Sequence, residues 1–242
     1  VCIYSMKDTY KDSARELRKN VVLKHFDVFF KDIKKLKKVL FEPTSTPFIL
    51  KKKIIGQSIK SEKVCNPISL FKAKKNRIEL KGSIKSHEKD GVALLRFLRW
   101  FKSTKVNTLD EIALVKKLEQ VRKIDSSFYY NSFDTISAAG SNAAITHYRV
   151  SPKSNKQINP SDLILVDSGG QYLEGTTDVT RTIIKGRVLQ EQKFLYTKVL
   201  KGLICLSKLR WPPGLTGKEL DPLARYFLWE HCLDYDHGTG HG

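Results

Sequence analysis

The chain has 242 residues, 40% of them hydrophobic and 29% charged, with a formal net charge of +19. That length suffices for one sizeable domain, or for one domain and part of another, and the composition excludes a disordered chain. No run of about 18 apolar residues occurs, which excludes a spanning helix, and the start at Val1 lacks the basic, apolar and small-residue succession of a signal peptide.

Four cysteines (Cys2, Cys65, Cys205, Cys232) are far apart and form no paired motif. They read as reduced thiols of a cytoplasmic protein rather than as disulfides or a cysteine metal site. The charge is uneven: residues 1–120 hold 29 Lys and Arg against 13 Asp and Glu, and residues 121–242 hold 15 against 12. A basic half of this kind can contact nucleic acid or an anionic surface. The runs Lys34-Lys35-Leu36-Lys37-Lys38 and Lys51-Lys52-Lys53, however, lack the interleaved aromatics and glycines of a single-strand binding face. They read as solvated lysine-rich faces.

In chain order, His25–Leu40 reads as an amphipathic helix, with Phe26, Phe29, Phe30, Ile33, Leu36 and Leu40 at helical spacing. Pro47-Phe48-Ile49-Leu50 opens a further short element, and Cys65-Asn66-Pro67 marks a junction. Residues 1–65 offer too few strands to bury both faces of a sheet and read as part of an α/β layer. Asn76 and Glu79 form a capping box that opens a helix to about Lys102, with Ile84, Val92, Leu95, Leu98 and Phe101 predicted on its buried side. Thr108-Leu109-Asp110-Glu111 predicts a second capped helix to about Arg122. A third runs from Gln190 to Leu209 before Pro212-Pro213, and Thr216-Gly217-Lys218-Glu219 caps a fourth toward Glu230, with Pro222 just inside it. Ile145–Tyr148, Leu163–Val166 and Val179–Ile184 read as strands. The fold class is α+β, with strands in the middle and helices packed on one face.

The chemistry falls on those strands. Leu163-Ile164-Leu165-Val166 is an apolar run that ends in Asp167, a carboxylate that is costly there unless its charge is compensated. Antiparallel strands joined through Ser168-Gly169-Gly170 and Glu174-Gly175 bring Asp167 toward Asp178. Two carboxylates held together need a cation or a shared proton, and a divalent metal is the simplest resolution. Taken singly, each Asp is better explained as a turn residue. His237 and His241 shift that balance: they are four residues apart with glycines between them, which favours a loop over a helix.

Three stretches then resemble one family. They are Val166-Asp167-Ser168-Gly169-Gly170-Gln171-Tyr172, Gly175-Thr176-Thr177-Asp178-Val179-Thr180-Arg181-Thr182, and Leu233-Asp234-Tyr235-Asp236-His237-Gly238-Thr239-Gly240-His241-Gly242. Together with Lys75–Leu80, His87–Arg99, Ser132–Ser137 and Ile145–Tyr148, in the same order, they are similar to the X-prolyl aminopeptidases of the pita-bread (creatinase/aminopeptidase) metallopeptidases. The resemblance implies an incomplete pita-bread domain over 66–242, preceded over 1–65 by the remnant of the family's α/β middle domain. It implies two divalent ions, manganese or else cobalt or zinc. Asp167 would chelate one ion, Asp178 would bridge both and His241 would bind the other, with His147 and His237 lining the substrate pocket. The implied substrates are peptides with proline at the second position, and the intact family implies a homodimer. The family's two further glutamate ligands and another pocket histidine follow the His-Gly-Thr-Gly-His-Gly motif; Glu174 and Glu191 do not stand at matching positions. The chain thus reads as a fragment, and the rival reading is a non-catalytic module that binds partners through its basic half. Any nucleic-acid binding by residues 1–120 is expected to be sequence-independent and lost between about 50 and 200 mM salt, because only phosphate neutralisation is on offer. Fluorescence anisotropy on a duplex checks this, and tight binding at high salt would favour the binding module.

Overall fold

A computed structural model describes residues 2–5, 21–55 and 60–241. Two compact units meet between Lys75 and Asn76. In the first, β1 (Cys2–Ser5) pairs in parallel with β2 (Val22–His25), and β3 (Lys38–Phe41) in parallel with β4 (Lys60–Lys63). Parallel neighbours need a crossover, and α2 (Phe48–Ile55) lies between β3 and β4 in the chain. The helix expected over His25–Leu40 is not one element. A 3-10 turn at Phe26–Val28 leads into α1, only Phe29–Ile33, and the amides of Lys35 and Leu36 close a turn on Asp32 and Ile33. Val39 to Phe41 are taken by the ladder with β4, where aromatic and β-branched side chains fit well. The helical spacing of the phenylalanines instead serves an aromatic cluster: Phe29 lies 5.3 Å from Phe26 and from Phe30, and 5.0 Å from Tyr4. The short helix α3 (Pro67–Ala73) closes this unit.

The second unit begins with α4 (Arg77–Ser103). Asn76 Oδ1 accepts from the Ile78 and Glu79 amides at 2.9 and 3.0 Å, and Glu79 accepts from the Asn76 amide at 2.7 Å, so the predicted capping box is complete. The buried stripe of α4 differs from expectation. Ser86, Asp90, Ala93, Leu94, Phe97 and Phe101 face inward, while Ile84, Val92 and Leu95 are exposed. The predicted set steps repeatedly by three and drifts around the helix, whereas steps of four and three stay on one side. Helix α5 (Glu111–Arg122) is capped by Asp110, whose side chain accepts from the Ala113 amide at 2.7 Å, and not by Thr108. Thr108 ends a 3-10 turn and donates to the Lys105 carbonyl instead.

Five strands follow: β5 (Phe128–Asn131), β6 (Ile136–Ala139), β7 (Leu163–Ser168), β8 (Gly170–Tyr172) and β9 (Val179–Ile184). β7 is central, antiparallel to β6 on one side and β9 on the other, and β8 pairs with β5. Alternation along β7 gives its two faces different neighbours. Ile164 and Val166 enter the core with Phe97, Phe101, Leu114 and Leu118 of α4 and α5, while Leu165 packs toward Ile136, Ala138 and Tyr148 on the opposite face. The strand predicted at Ile145–Tyr148 is absent: a 3-10 turn over Gly140–Ala144 runs into a loop there. The chain closes on α6 (Gln190–Lys208) and α7 (Gly217–Trp229), the latter opened by the Thr216 amide donating to Glu219 at 2.8 Å, and Pro222 sits inside it. These helices cross closely at Gly202, where an added Cβ would lie 2.2 Å from the Ala224 carbonyl oxygen.

One polar group runs through the core. Arg122 of α5 donates from Nε and Nη2 to Asp90 of α4 at 2.7 and 3.1 Å, and from Nη2 to Ser168 of β7 at 3.0 Å. Tyr172 of β8 donates to Asp90 Oδ1 at 2.8 Å; burial first, then the Asp90 carboxylate, raises its hydroxyl well above the ordinary phenol range.

Two substitutions test the corrected face of α4. Phe97→Ala should cost about 3–5 kcal/mol, while Leu95→Ala should stay within about 0.5 kcal/mol; urea unfolding of both checks the register. Asp90→Asn leaves the Arg122 charge buried without its counter-ion and should cost about 3–5 kcal/mol. A loss in Asp90→Asn no larger than that of an exposed substitution would show that the pair does not carry the core.

Candidate metal centre

The open face of the sheet is where the charged side chains collect. Asp167 is paired across the ladder with Thr180, and Ser168 with Val179. Ser168 points to the helix side, where Arg122 holds it, and Val179 packs on the same core. Asp167 and Thr180 therefore point the other way, with Asp178 two residues before Thr180 and on the same side. A diagonal pair of this kind has Cα atoms about 7–8 Å apart, within reach of two short carboxylates.

The connection between β7 and β9 is a hairpin extended by a second arm. The Thr177 amide donates to the Gly170 carbonyl at 2.9 Å and the Tyr172 amide to Gly175 at 2.9 Å, so residues 170–177 fold back on themselves. Gly169 makes this crossing feasible: a Cβ there would lie 1.9 Å from the Thr177 carbonyl oxygen. At the tip, Lys89 and Lys85 of α4 bind Glu174 at 2.7 and 3.0 Å and hold its carboxyl at about 2.

Asp167 is the less exposed of the two aspartates. Burial pushes its carboxyl above the ordinary range; the Thr180 side chain opposes this, the Asp178 charge adds to it, and His147 and His241 oppose it again. Its Oδ1 is buried without a hydrogen-bond partner among the described residues. Asp178 is exposed, and its Oδ2 lies 3.3 Å from His241 Nε2. Asp178, His147 and His241 thus each act on Asp167, and His241 also contacts Asp178, although among the described residues no three His, Cys, Asp or Glu side chains converge closely enough to enclose an ion. Two carboxylates, one with an orphaned buried oxygen, and an imidazole are a donor set that suits a divalent cation.

His237 is turned aside: its ring stacks on Tyr235 at 4.7 Å and its Nδ1 lies 2.8 Å from the Gly238 carbonyl. Residues 233–241 carry no helix, as the glycines predict, and Gly242 lies outside the described residues. His147 has φ of +54°, a left-handed conformation that is uncommon outside glycine. Its loop is tied down by Glu111 of α5, which is fully buried. The Ala139 amide and Asn142 side chain donate to Glu111 Oε1 at 2.7 and 2.9 Å, and the Tyr148 hydroxyl and Lys156 amide donate to Oε2 at 2.9 and 3.1 Å. These four bonds bend the segment away from an extended path and explain why Ile145–Tyr148 is not a strand. In the amino-acid sequence Glu111 belongs to a helix cap, and Arg122 and Asp90 carry no mark of a part in the site. Only Thr180 had a readable signal, its spacing of two from Asp178 at the start of a strand.

The profile of metallopeptidase family M24 matches residues 83–242. A probable Xaa-Pro aminopeptidase P of Pyrenophora tritici-repentis is 38% identical over 96% of this chain, which covers 42% of that protein. One from Paracoccidioides brasiliensis is 46% identical over 78% of this chain and 31% of its own length. The chain therefore spans less than half the length of these curated relatives. Among solved structures, the X-prolyl aminopeptidase of Caenorhabditis elegans, described as a cytosolic enzyme with a di-nuclear active site, superposes with a TM-score of 0.87 at 31% identity, over all of this chain and 41% of that one. The prolidase of Pyrococcus horikoshii superposes with a TM-score of 0.77 at 27% identity, over 96% of this chain and 65% of that one. The mixed helix and sheet architecture is that of the pita-bread metallopeptidases, and the chain belongs to metallopeptidase family M24.

Proposed function

We propose that this chain carries part of the centre of a metal-dependent aminopeptidase that releases the N-terminal residue from peptides with proline in second place. The observation that carries the reading is the shared open face of β7 and β9, with Asp167 and Asp178 on it and His241 beside Asp178 at 3.3 Å. In this reading Asp167 and His241 would each hold one of two divalent ions, and Asp178 would serve both. When bound, the ions supply Lewis-acid polarisation of the scissile carbonyl and acidify water.

The chain's own groups do the rest. The loop fixed by Glu111 presents the His147 imidazole at the rim, where its N–H can donate to charge developing on the carbonyl oxygen. His237 has the same role from the glycine-rich segment, once its ring leaves Tyr235. Manganese is the ion we favour, because an oxygen-rich donor set with one imidazole suits it. A reducing, cytoplasmic location is supported by four free cysteines. No helix among the described residues is long and apolar enough to cross a membrane. We read residues 1–65 as the end of the family's middle domain, on the parallel pairing of β3 and β4 around α2, and a homodimer as the family's working assembly.

The 242 residues supply three ligands, Asp167, Asp178 and His241, where the reading requires two more glutamates. The 242-residue polypeptide is thus expected to have negligible turnover on an X-Pro peptide with added manganese. A chain continued to the length of its relatives is expected to be active and to lose activity with Asp178→Ala. Metal-dependent turnover by the 242-residue polypeptide would show that three ligands suffice, and an inactive long chain would favour a binding module.

A further inference from the structure

The segment that carries His237 and His241 has no ladder or helix to hold it, yet it converges on one side chain. Arg225 of α7 is nearly buried, and its Nε donates to Asp221 one turn earlier at 2.7 Å, which fixes the guanidinium on its own helix. The other two nitrogens reach the segment. Nη1 donates to Asp234 Oδ1 at 2.8 Å and to the Tyr235 carbonyl at 2.6 Å, and Nη2 donates to the His237 carbonyl at 2.8 Å. The flat face of the guanidinium covers the Tyr235 ring at 4.0 Å, and the His237 ring stacks on the same tyrosine.

Two further links close the arrangement. Trp229 Nε1 of α7 donates to Asp234 Oδ2 at 2.8 Å, and the Thr239 hydroxyl, itself 2.6 Å from the Tyr235 hydroxyl, donates to Asp221 Oδ1. Residues 234, 235, 237 and 239 are therefore each tied to α7 or to a group bound to it. Only a planar fork can serve acceptors in these several directions at once; a lysine ammonium is a point charge on a flexible stem.

We propose that Arg225 is the positioning residue of the His237–His241 segment, holding its backbone so that His241 arrives beside Asp178. The part of this that concerns metal rests on the reading of His241 as a ligand; the part that concerns the segment's rigidity does not. The test uses the 242-residue chain and two measurements, amide order parameters by NMR for residues 235–241 and calorimetric titration with manganese alone. In the unsubstituted chain the order parameters of residues 235–239 should be those of rigid backbone, about 0.85, and in Arg225→Met they should fall below about 0.6. Arg225→Lys should not restore them, because the charge is kept and the fork is lost. Manganese affinity should fall about 10- to 100-fold in Arg225→Met, the usual effect of losing a support behind a ligand.

Unchanged order parameters in a folded Arg225→Met overturn the proposal, as does full rescue by lysine. Should Arg225→Met not fold, Asp234→Ala, which removes the links to Arg225 and Trp229, and Thr239→Val, which removes those to Tyr235 and Asp221, should each loosen the same amides; rigid amides in both overturn it equally. A parent chain that binds no manganese would count against the metal reading while the order parameters still decide the role of Arg225.

Discussion

A buried ion pair between two helices sets where everything else in the second unit can lie. Asp90 and Arg122 are far apart in sequence and both are removed from water, which costs several kcal/mol per ion unless hydrogen bonds fill the remaining valences. The Tyr172 hydroxyl fills one on the carboxylate and the Ser168 hydroxyl accepts from the guanidinium. Those two partners sit on either side of Gly169, where β7 gives way to β8. The pair therefore fixes the rotation of β7 about its own axis at the point where it ends. With Ser168 committed to the helices, Asp167 has only the open face to occupy. The carboxylate at the site is a consequence of the polar core behind it.

The two sides of the site are built by different means. Asp167 and Asp178 depend on backbone ladders, whose spacing is set by the peptide itself. The histidines stand on irregular segments, each organised by one charged side chain of a helix. Glu111 gathers two amides, an asparagine and a tyrosine around the loop of His147. Arg225 gathers carbonyls and carboxylates around the segment of His237 and His241. An anionic hub collects donors and a cationic hub collects acceptors, so each loop shows the opposite polarity of its hub. Such loops can be placed as accurately as strands, provided that the hub itself is buried or braced.

Parts of this were legible in the amino acids. The capping boxes at Asn76 and Thr216 mark helix starts because their side chains bond locally, within three residues. The apolar run before Asp167 marks β7, although only one of its faces is fully buried, and the strand expected over Val179–Ile184 is β9 with the same bounds. β5, β6 and β8 carried no such mark. Ile136-Ser137-Ala138-Ala139 is buried throughout and small after its first residue, and β8 is three residues of Gly, Gln and Tyr. His25–Leu40 misled because a cluster of phenylalanines at helical spacing also suits a short helix beside a strand. The supports of the site were illegible for a different reason. Asp90, Glu111 and Arg122 belong to residue types that are almost never buried unless paired, and the pairing spans tens of residues. At Ile145–Tyr148 the β propensity is real, but four hydrogen bonds to one buried carboxylate outweigh it.

The contact of Gly202 with Ala224 bears on the site from a distance. Ala224 is the neighbour of Arg225 in α7, so the backbone-to-backbone approach of the two helices sets the point from which the guanidinium reaches out. Helix α6 thereby acts as a gauge block. The thickness of one missing side chain, the hydrogen of a glycine in place of a methyl, determines how far the α7 axis stands off. A wider stand-off would move the origin of the fork without altering any residue that touches the histidines, and the fork's reach is short and rigid. Tolerance at position 202 is thus a matter of alignment at His241, not only of helix packing.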